Sequence, residues 1–320
     1  MERGCKNFSQ YNPLRLGNCN DLTSFSLKVI SETFLFTVTV EELLMYRLIF
    51  FSRKLIKTFT SDCPKPYVVP QGTWGANRAA RLELACAYRG LEVLGLHEGV
   101  CNHLTAMAPA AKGNEEVMLV FPYGLHWSEV SASNLLGVDK SGSVLEGDVS
   151  QTPELAAACI HLGIRRVRPD AKVIMHTHQP YATALGCLKD SELKMVHQNS
   201  TRFYKRIAYD TNYSGLADAI AEGERLGEEI GDADILMMGN HGVVVVAPTI
   251  AMAFDHVYYL ERAAEVQILA ESTGRELTLI SDAQSKQSCD TFWQDMQKYA
   301  DAHFYSMFRR LRKSQPDFEL

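Results

Sequence analysis

From about residue 70 onward, apolar positions recur at helical and strand periods. Arg78–Leu94 (RAARLELACAYRGLEVL) places Leu84, Ala87, Tyr88 and Leu91 on one helical face. Val117–Phe121 has strand composition, and Ser128–Leu136 reads as a short helix or turn before a polar hairpin-like stretch, Asp139–Ser143. Thr152-Pro153-Glu154 reads as a helix start, with Thr as N-cap, Pro at the first helical position and an acid in the first turn. That helix is predicted to run to about Val167, where Arg168-Pro169-Asp170 stops it. Lys172–His178 (KVIMHTH) reads as a strand running into polar residues, and Gly215–Glu229 as a second amphipathic helix. Ile235–Met238 and Val243–Val246 are strand candidates on either side of Gly239-Asn240-His241-Gly242. Pro248-Thr249 then opens a long helix that ends near Ser272–Gly274. Strands and helices in alternation predict an α/β or α+β fold, and periodicity alone does not choose between them.

Residues 1–67 follow a different pattern. Their apolar runs (Thr33–Val40, Leu48–Ser52) are interrupted by Glu32, Glu41 and Glu42, against the ~20 mostly apolar residues of a membrane span. The stretch Met45–Ser61 carries Arg47, Arg53, Lys54 and Lys57 and no acid, as a mitochondrial presequence does; the plainer reading is an extension outside the folded domain. Pro64, Pro66 and Pro70 mark a boundary near residue 68. The expected organisation is an extension (1–67), a folded domain (68–285) and a C-terminal helical tail (286–320).

Composition narrows the function classes. A net charge of -6 in 320 residues leaves no nucleic-acid footprint. The eight cysteines are scattered, without CxxC spacing, which points to a reducing compartment. The expected location is cytoplasmic, with mitochondrial as the alternative.

Three of the ten histidines stand where a metal site would want them. His176 and His178 are two apart, so a strand turns both imidazoles to one face. His241 lies in the Gly239–Gly242 turn, where glycine permits backbone geometry that other residues resist. Three neutral imidazoles and an open position suit a catalytic divalent ion, most simply zinc; the bland alternative is ordinary histidines at a strand end.

Five blocks then occur in a familiar order: HEGVCNHLT at 97–105, FPYGLHWSEVSASNLL at 121–136, RPDAKVIMHTHQPYATAL at 168–185, QNSTRFYKRIAYD at 198–210, and GNHGVVVVAPTIAMAFDHVYYLERAAEVQILA at 239–270. Over roughly residues 72–285 the sequence resembles the class II aldolase/adducin family. The resemblance implies a three-layer α/β/α fold with a central, mainly antiparallel sheet, a homotetramer with active sites at subunit interfaces, and zinc on His176, His178 and His241. In that family the metal stabilises the enediolate formed when a carbon–carbon bond breaks.

The sequence also departs from the pattern. If His161 matches the family's helix histidine, the catalytic glutamate position falls on Ala157, and two phosphate-binding serines fall on Leu155 and Ala156. The threonine before Gly124 becomes Tyr123, and the catalytic tyrosine falls near Gln198. Glu154, one helical turn before Ala157, is read either as a substitute acid or as a first-turn acid on the helix dipole. Glu129 and Ser128 are read as caps, and Glu261 as an ion-pair partner of Arg262 of an adjacent turn or subunit.

The expected site is therefore His176, His178 and His241 for the metal and Glu154 and His161 for proton transfer. Asn102, His103, Tyr123, Gly124 and His126 are expected to meet the substrate, a small non-phosphorylated hydroxy-carbonyl compound. The alternative is a non-catalytic adducin-like scaffold for actin or the membrane skeleton.

Overall fold

Eight strands pair into one sheet in the computed structural model, which describes residues 27–31, 34–38 and 75–320. The chain divides into two units, Met1–Lys65 and Pro66–Leu320. In the first, β1 (Leu27–Ser31) and β2 (Phe34–Val38) form an antiparallel pair with Leu27 opposite Val38. The presequence-like stretch Met45–Ser61 lies outside the described residues.

In the second unit the strands are β3 (His103–Pro109), β4 (Glu116–Val120), β5 (Leu136–Val138), β6 (Val144–Glu146), β7 (Val173–Thr177), β8 (Ile207–Asp210), β9 (Ile235–Met238) and β10 (Val243–Ala247). Their order across the sheet is β6-β5-β4-β3-β7-β10-β9-β8. Every pair is antiparallel except β8–β9. The helices are α1 (Arg78–Val93), α2 (Leu155–Val167), α3 (Pro180–Gly186), α4 (Ile220–Ile230), α5 (Ile250–Glu271), α6 (Asp282–Gln294) and α7 (Met296–Ser314).

All residues of β7, β9 and β10 are buried, which is why they read as unbroken apolar runs rather than as alternation. Side-chain parity divides them between two cores. Val173, Met175, Met237, Val243 and Val245 join α1, α5 and α7 in the larger core. Ile174, Leu236, Met238, Val244 and Val246 join α2 and α4 in the smaller. This is the expected three-layer arrangement. Leu84, Tyr88 and Leu91 of α1 are fully buried, each such apolar side chain contributing about 1.5–3 kcal/mol. Phe304, Phe308 and Leu311 of α7 sit in the same core. No helix among the described residues is long and apolar enough to cross a membrane.

Two helix starts differ from expectation. α2 begins at Leu155 with Glu154 as its N-cap residue, so Thr152 lies outside the helix. α4 begins at Ile220, after the polar loop that follows β8. The α2–α4 contact is close because both helices present glycine there. A Cβ on Gly163 would stand 2.6 Å from the Ile220 carbonyl, and one on Gly223 would fall on the Cys159 carbonyl. Gly223→Ala should therefore cost about 1–3 kcal/mol by overpacking, read as a lower urea midpoint.

His256 of α5 is 1% exposed between Phe203 and Trp293, and neither ring nitrogen has a hydrogen-bond partner among the described residues. Burial pulls its pKa down to about 4. Between that value and ~6.5 the unfolded chain binds a proton that the folded chain refuses, so stability is full above pH 6.5 and falls as pH drops toward 4. Over pH 7 to 5 this one group accounts for roughly 2 kcal/mol. His256→Leu should flatten the pH dependence by that amount in urea titrations.

Candidate metal centre

The site forms at the end of β7 on the face covered by α2 and α4. His176 stands opposite His103 of β3 on one side and Val244 of β10 on the other. Directly paired residues point the same way, so His103, His176 and, two residues on, His178 share that face. The β9–β10 turn delivers His241 to them. The ring centroids of His176, His178 and His241 are 4.8–4.9 Å apart, and each ring offers a ligand nitrogen within 4.8 Å of the others.

The turn achieves this differently from the sequence expectation. The left-handed residue is Asn240, with φ 55°, a conformation its short polar side chain tolerates. The flanking glycines serve close approach instead: a Cβ on Gly242 would lie 2.6 Å from the Thr177 carbonyl and from the His178 ring.

Hydrogen bonds fix the ring tautomers. The Nδ1 of His176 lies 3.0 Å from the Val243 carbonyl, which only accepts, so Nδ1 carries the proton and Nε2 keeps its lone pair. The Nδ1 of His178 lies 2.6 Å from the Glu98 carboxylate, with the same consequence. The two Nε2 atoms then face each other at 3.1 Å. Two lone pairs at that distance repel unless a cation lies between them. Two nitrogens on a tetrahedral zinc would be about 3.3 Å apart. Burial holds His176 well below the usual histidine range and His241 at about 4, so both are neutral ligands at physiological pH. The donor set, its tautomers and its spacing fit a divalent ion.

Residues 82–268 match the profile of the Class II Aldolase and Adducin N-terminal domain. The chain belongs to the class II aldolase and adducin family. An adducin-related protein of Schizosaccharomyces pombe is 35% identical over 201 residues, 61% of this chain and 60% of its own length. Human beta-adducin is 30% identical over 198 residues, which span only 26% of that protein. An aldolase II superfamily protein of Pseudomonas syringae has the same fold at 28% identity, with a TM-score of 0.70 over 79% of this chain and 98% of its own. The L-fuculose 1-phosphate aldolase of Glaciozyma antarctica PI12 shares the fold at 24% identity, with a TM-score of 0.66 over 78% of this chain and 96% of its own.

Around the triad the family's positions are filled in this chain's own way. Ala157, which the resemblance sets against the family's catalytic glutamate if His161 matches its helix histidine, is fully buried. Glu154 makes no capping hydrogen bond; its Oε2 lies 3.9 Å from His103 Nε2, and burial raises its pKa. Behind His103 runs a buried chain: His103 Nδ1 to His161 Nε2 at 2.9 Å, and His161 Nδ1 to the Thr105 hydroxyl at 2.7 Å. Burial lowers His103 to about 3 and His161 well below the usual range, so both rings are neutral.

Asn102 is buried and accepts with Oδ1 from the backbone N–H groups of Glu98 and His178. It thereby ties the Glu98 loop to the end of β7, while its Nδ2 has no partner among the described residues. The Tyr123 N–H donates to the Thr152 carbonyl, which sets the Tyr123-Gly124 turn beside the approach to Glu154; the Tyr123 side chain is exposed. His126 belongs to a second cluster, 3.4 Å from His97 and 2.7 Å from the Ser128 hydroxyl. Its backbone N–H donates to Glu129, so Glu129 does cap the short turn that follows. Glu261 does not pair with Arg262: its carboxylate accepts from the N–H groups of Tyr181 and Ala182 at the start of α3, and Arg262 pairs with Glu265.

The sequence reading missed Glu98 and Tyr213. Glu98 lies inside a recognised block, but only the fold brings it to a residue 80 positions away. Tyr213, in the loop after β8, sets its ring 6.5 Å from that of His241.

Proposed function

We propose that this chain is a metal-dependent lyase of the class II aldolase type, acting on a small non-phosphorylated hydroxy-carbonyl substrate, with His176, His178 and His241 holding a divalent ion, most simply zinc. The observation that supports it best is the pair of Nε2 lone pairs turned toward one point and fixed there by Val243 and Glu98. When bound, the ion supplies a Lewis acid for the negative charge that develops on substrate oxygens. The family relationship supports a homotetramer as the working assembly.

The chain's own residues supply the proton traffic. Glu154 and His103 stand 3.9 Å apart at the edge of the triad, a gap that a substrate hydroxyl fills. With Glu154 ionised, the Thr105 hydroxyl donates to His161, His161 donates to His103, and His103 presents an N–H to the carboxylate. With Glu154 protonated, the same arrangement holds, the His103 N–H being accepted by the carbonyl oxygen of the carboxyl group. The relay therefore accommodates either state without placing charge in the interior, so Glu154 can give or take a proton although Ala157 cannot.

The substrate preference rests on what is missing. Leu155 and Ala156 bring no hydroxyl donors where the family's phosphate-binding serines stand, so a phosphate group loses its hydrogen bonds there.

Purified protein should carry close to one divalent ion per chain by elemental analysis, and His178→Ala should lose it together with retro-aldol activity on hydroxy-carbonyl substrates. An unchanged ion content in the variant would defeat the proposal. Glu98→Gln should keep the fold but weaken zinc binding roughly 10–100-fold in a chelator competition, because a ligand imidazole loses its carboxylate partner. The buried methyl of Ala157 favours a second reading, a non-catalytic scaffold. Co-sedimentation with actin by protein that binds no metal would select it.

A further inference from the structure

A second site lies at the other end of the same strands. His103 pairs with His176 at one end of the β3–β7 ladder and Ala106 with Val173 at the other. Just beyond that far end, where the Met107 N–H donates to the Lys172 carbonyl, both residues line a cavity of about 450 Å³. That volume falls within the range of small-molecule pockets. Its walls are in part apolar, lined by Met107, Met118 and Leu162.

The polar part of the lining is dominated by cations, on a protein whose net charge is negative. Two of these are already neutralised: Lys172 pairs with Glu116 at 3.1 Å and Arg166 with Glu224 at 2.9 Å. Arg165 and Lys140 are not, since no carboxylate lies within ion-pair distance of either among the described residues. Of the two acids in the lining, Glu116 is taken by Lys172, and Asp139 accepts from the N–H groups of Ser141 and Ser143 and from the Ser141 hydroxyl. Arg165 is partly buried and is held in place by neutral acceptors. Its Nε donates to the Ala171 carbonyl at 2.9 Å and its Nη2 to the Lys172 carbonyl at 3.3 Å, while Nη1 faces the Met118 sulfur at 3.1 Å. These contacts orient the guanidinium and leave its charge uncompensated. Burial lowers its pKa to about 9, so it stays charged at neutral pH. A fixed, desolvated guanidinium without a counter-charge is costly unless an anion completes it.

We propose that this cavity binds a small organic anion, a carboxylate or phosphate ester whose charged end pairs with Arg165 and Lys140 and whose short apolar body lies over Met107, Met118 and Leu162. The site is independent of the histidine centre and of any activity assigned to it.

Isothermal titration of the full chain with hexanoate, hexyl phosphate and inorganic phosphate tests it, run in parallel on His178→Ala to keep the histidine centre out of the measurement. The expected result is binding of at least one organic anion with Kd below about 1 mM, about tenfold tighter than inorganic phosphate. Whichever of the two organic probes binds more tightly assigns the head group. Arg165→Gln should weaken binding about tenfold, and Lys140→Ala, a change at an exposed side chain that leaves packing intact, about threefold. Affinity unchanged in Lys140→Ala and in folded Arg165→Gln would overturn the proposal. So would equal affinity for inorganic phosphate, or binding that disappears in His178→Ala.

Discussion

The register of β7 between β3 and β10 is the constraint on which the rest of the site depends. It sets His176 opposite His103, brings the Val243 carbonyl to the His176 ring, and carries His178 past the end of the ladder to meet Glu98. A slip of one residue would turn both imidazoles toward the larger core and bring Met175 to the site. The apolar residues of the strand guard against that slip. Ile174 fits the core beneath α2 and α4, Val173 and Met175 fit the core beneath α1 and α5, and exchanging them would leave charged or polar groups buried on the wrong side. Packing in the two cores thus specifies the chemistry between them.

Three of the departures from the expected family pattern, at Leu155, Ala156 and Ala157, fall at the start of α2. Where the family resemblance sets a glutamate in the first turn of α2, this chain has Ala157, and the acidic side chain at the head of the helix is that of the N-cap residue Glu154. Its neighbour across the gap is His103, a β3 residue braced from behind by His161 of α2 and Thr105 of β3. A buried polar chain, hydrogen-bonded along its length, thus stands behind the one ring that faces Glu154.

Much of this was legible in the sequence for physical reasons that can be named. The HTH spacing on an apolar strand, the Gly239–Gly242 turn and the unbroken Val243–Val246 run each encode a local geometry, and the structure reproduces each element. What local reading missed was set by distant contacts. Thr152-Pro153 looked like a helix start because N-cap and proline rules concern single positions, yet the Thr152 carbonyl is taken by Tyr123 and the helix begins three residues later. Glu261 looked like a partner for Arg262 because they are adjacent, yet it caps a helix some 80 residues earlier in the chain. Glu98 carried no signal of its own, since an acid before a glycine is ordinary until the fold sets it against a histidine. His126 sat in a strongly matched block, and the match did not reveal that His97 would be its partner.

The four imidazoles of His103, His176, His178 and His241 stand with neighbouring ring centroids 4.8–4.9 Å apart. Burial first, and then the neighbouring rings of His103, His241 and His178, hold the His176 pKa well below the usual histidine range. His103, His176 and His241 therefore present neutral nitrogens to an approaching cation, with no positive charge of their own to repel it.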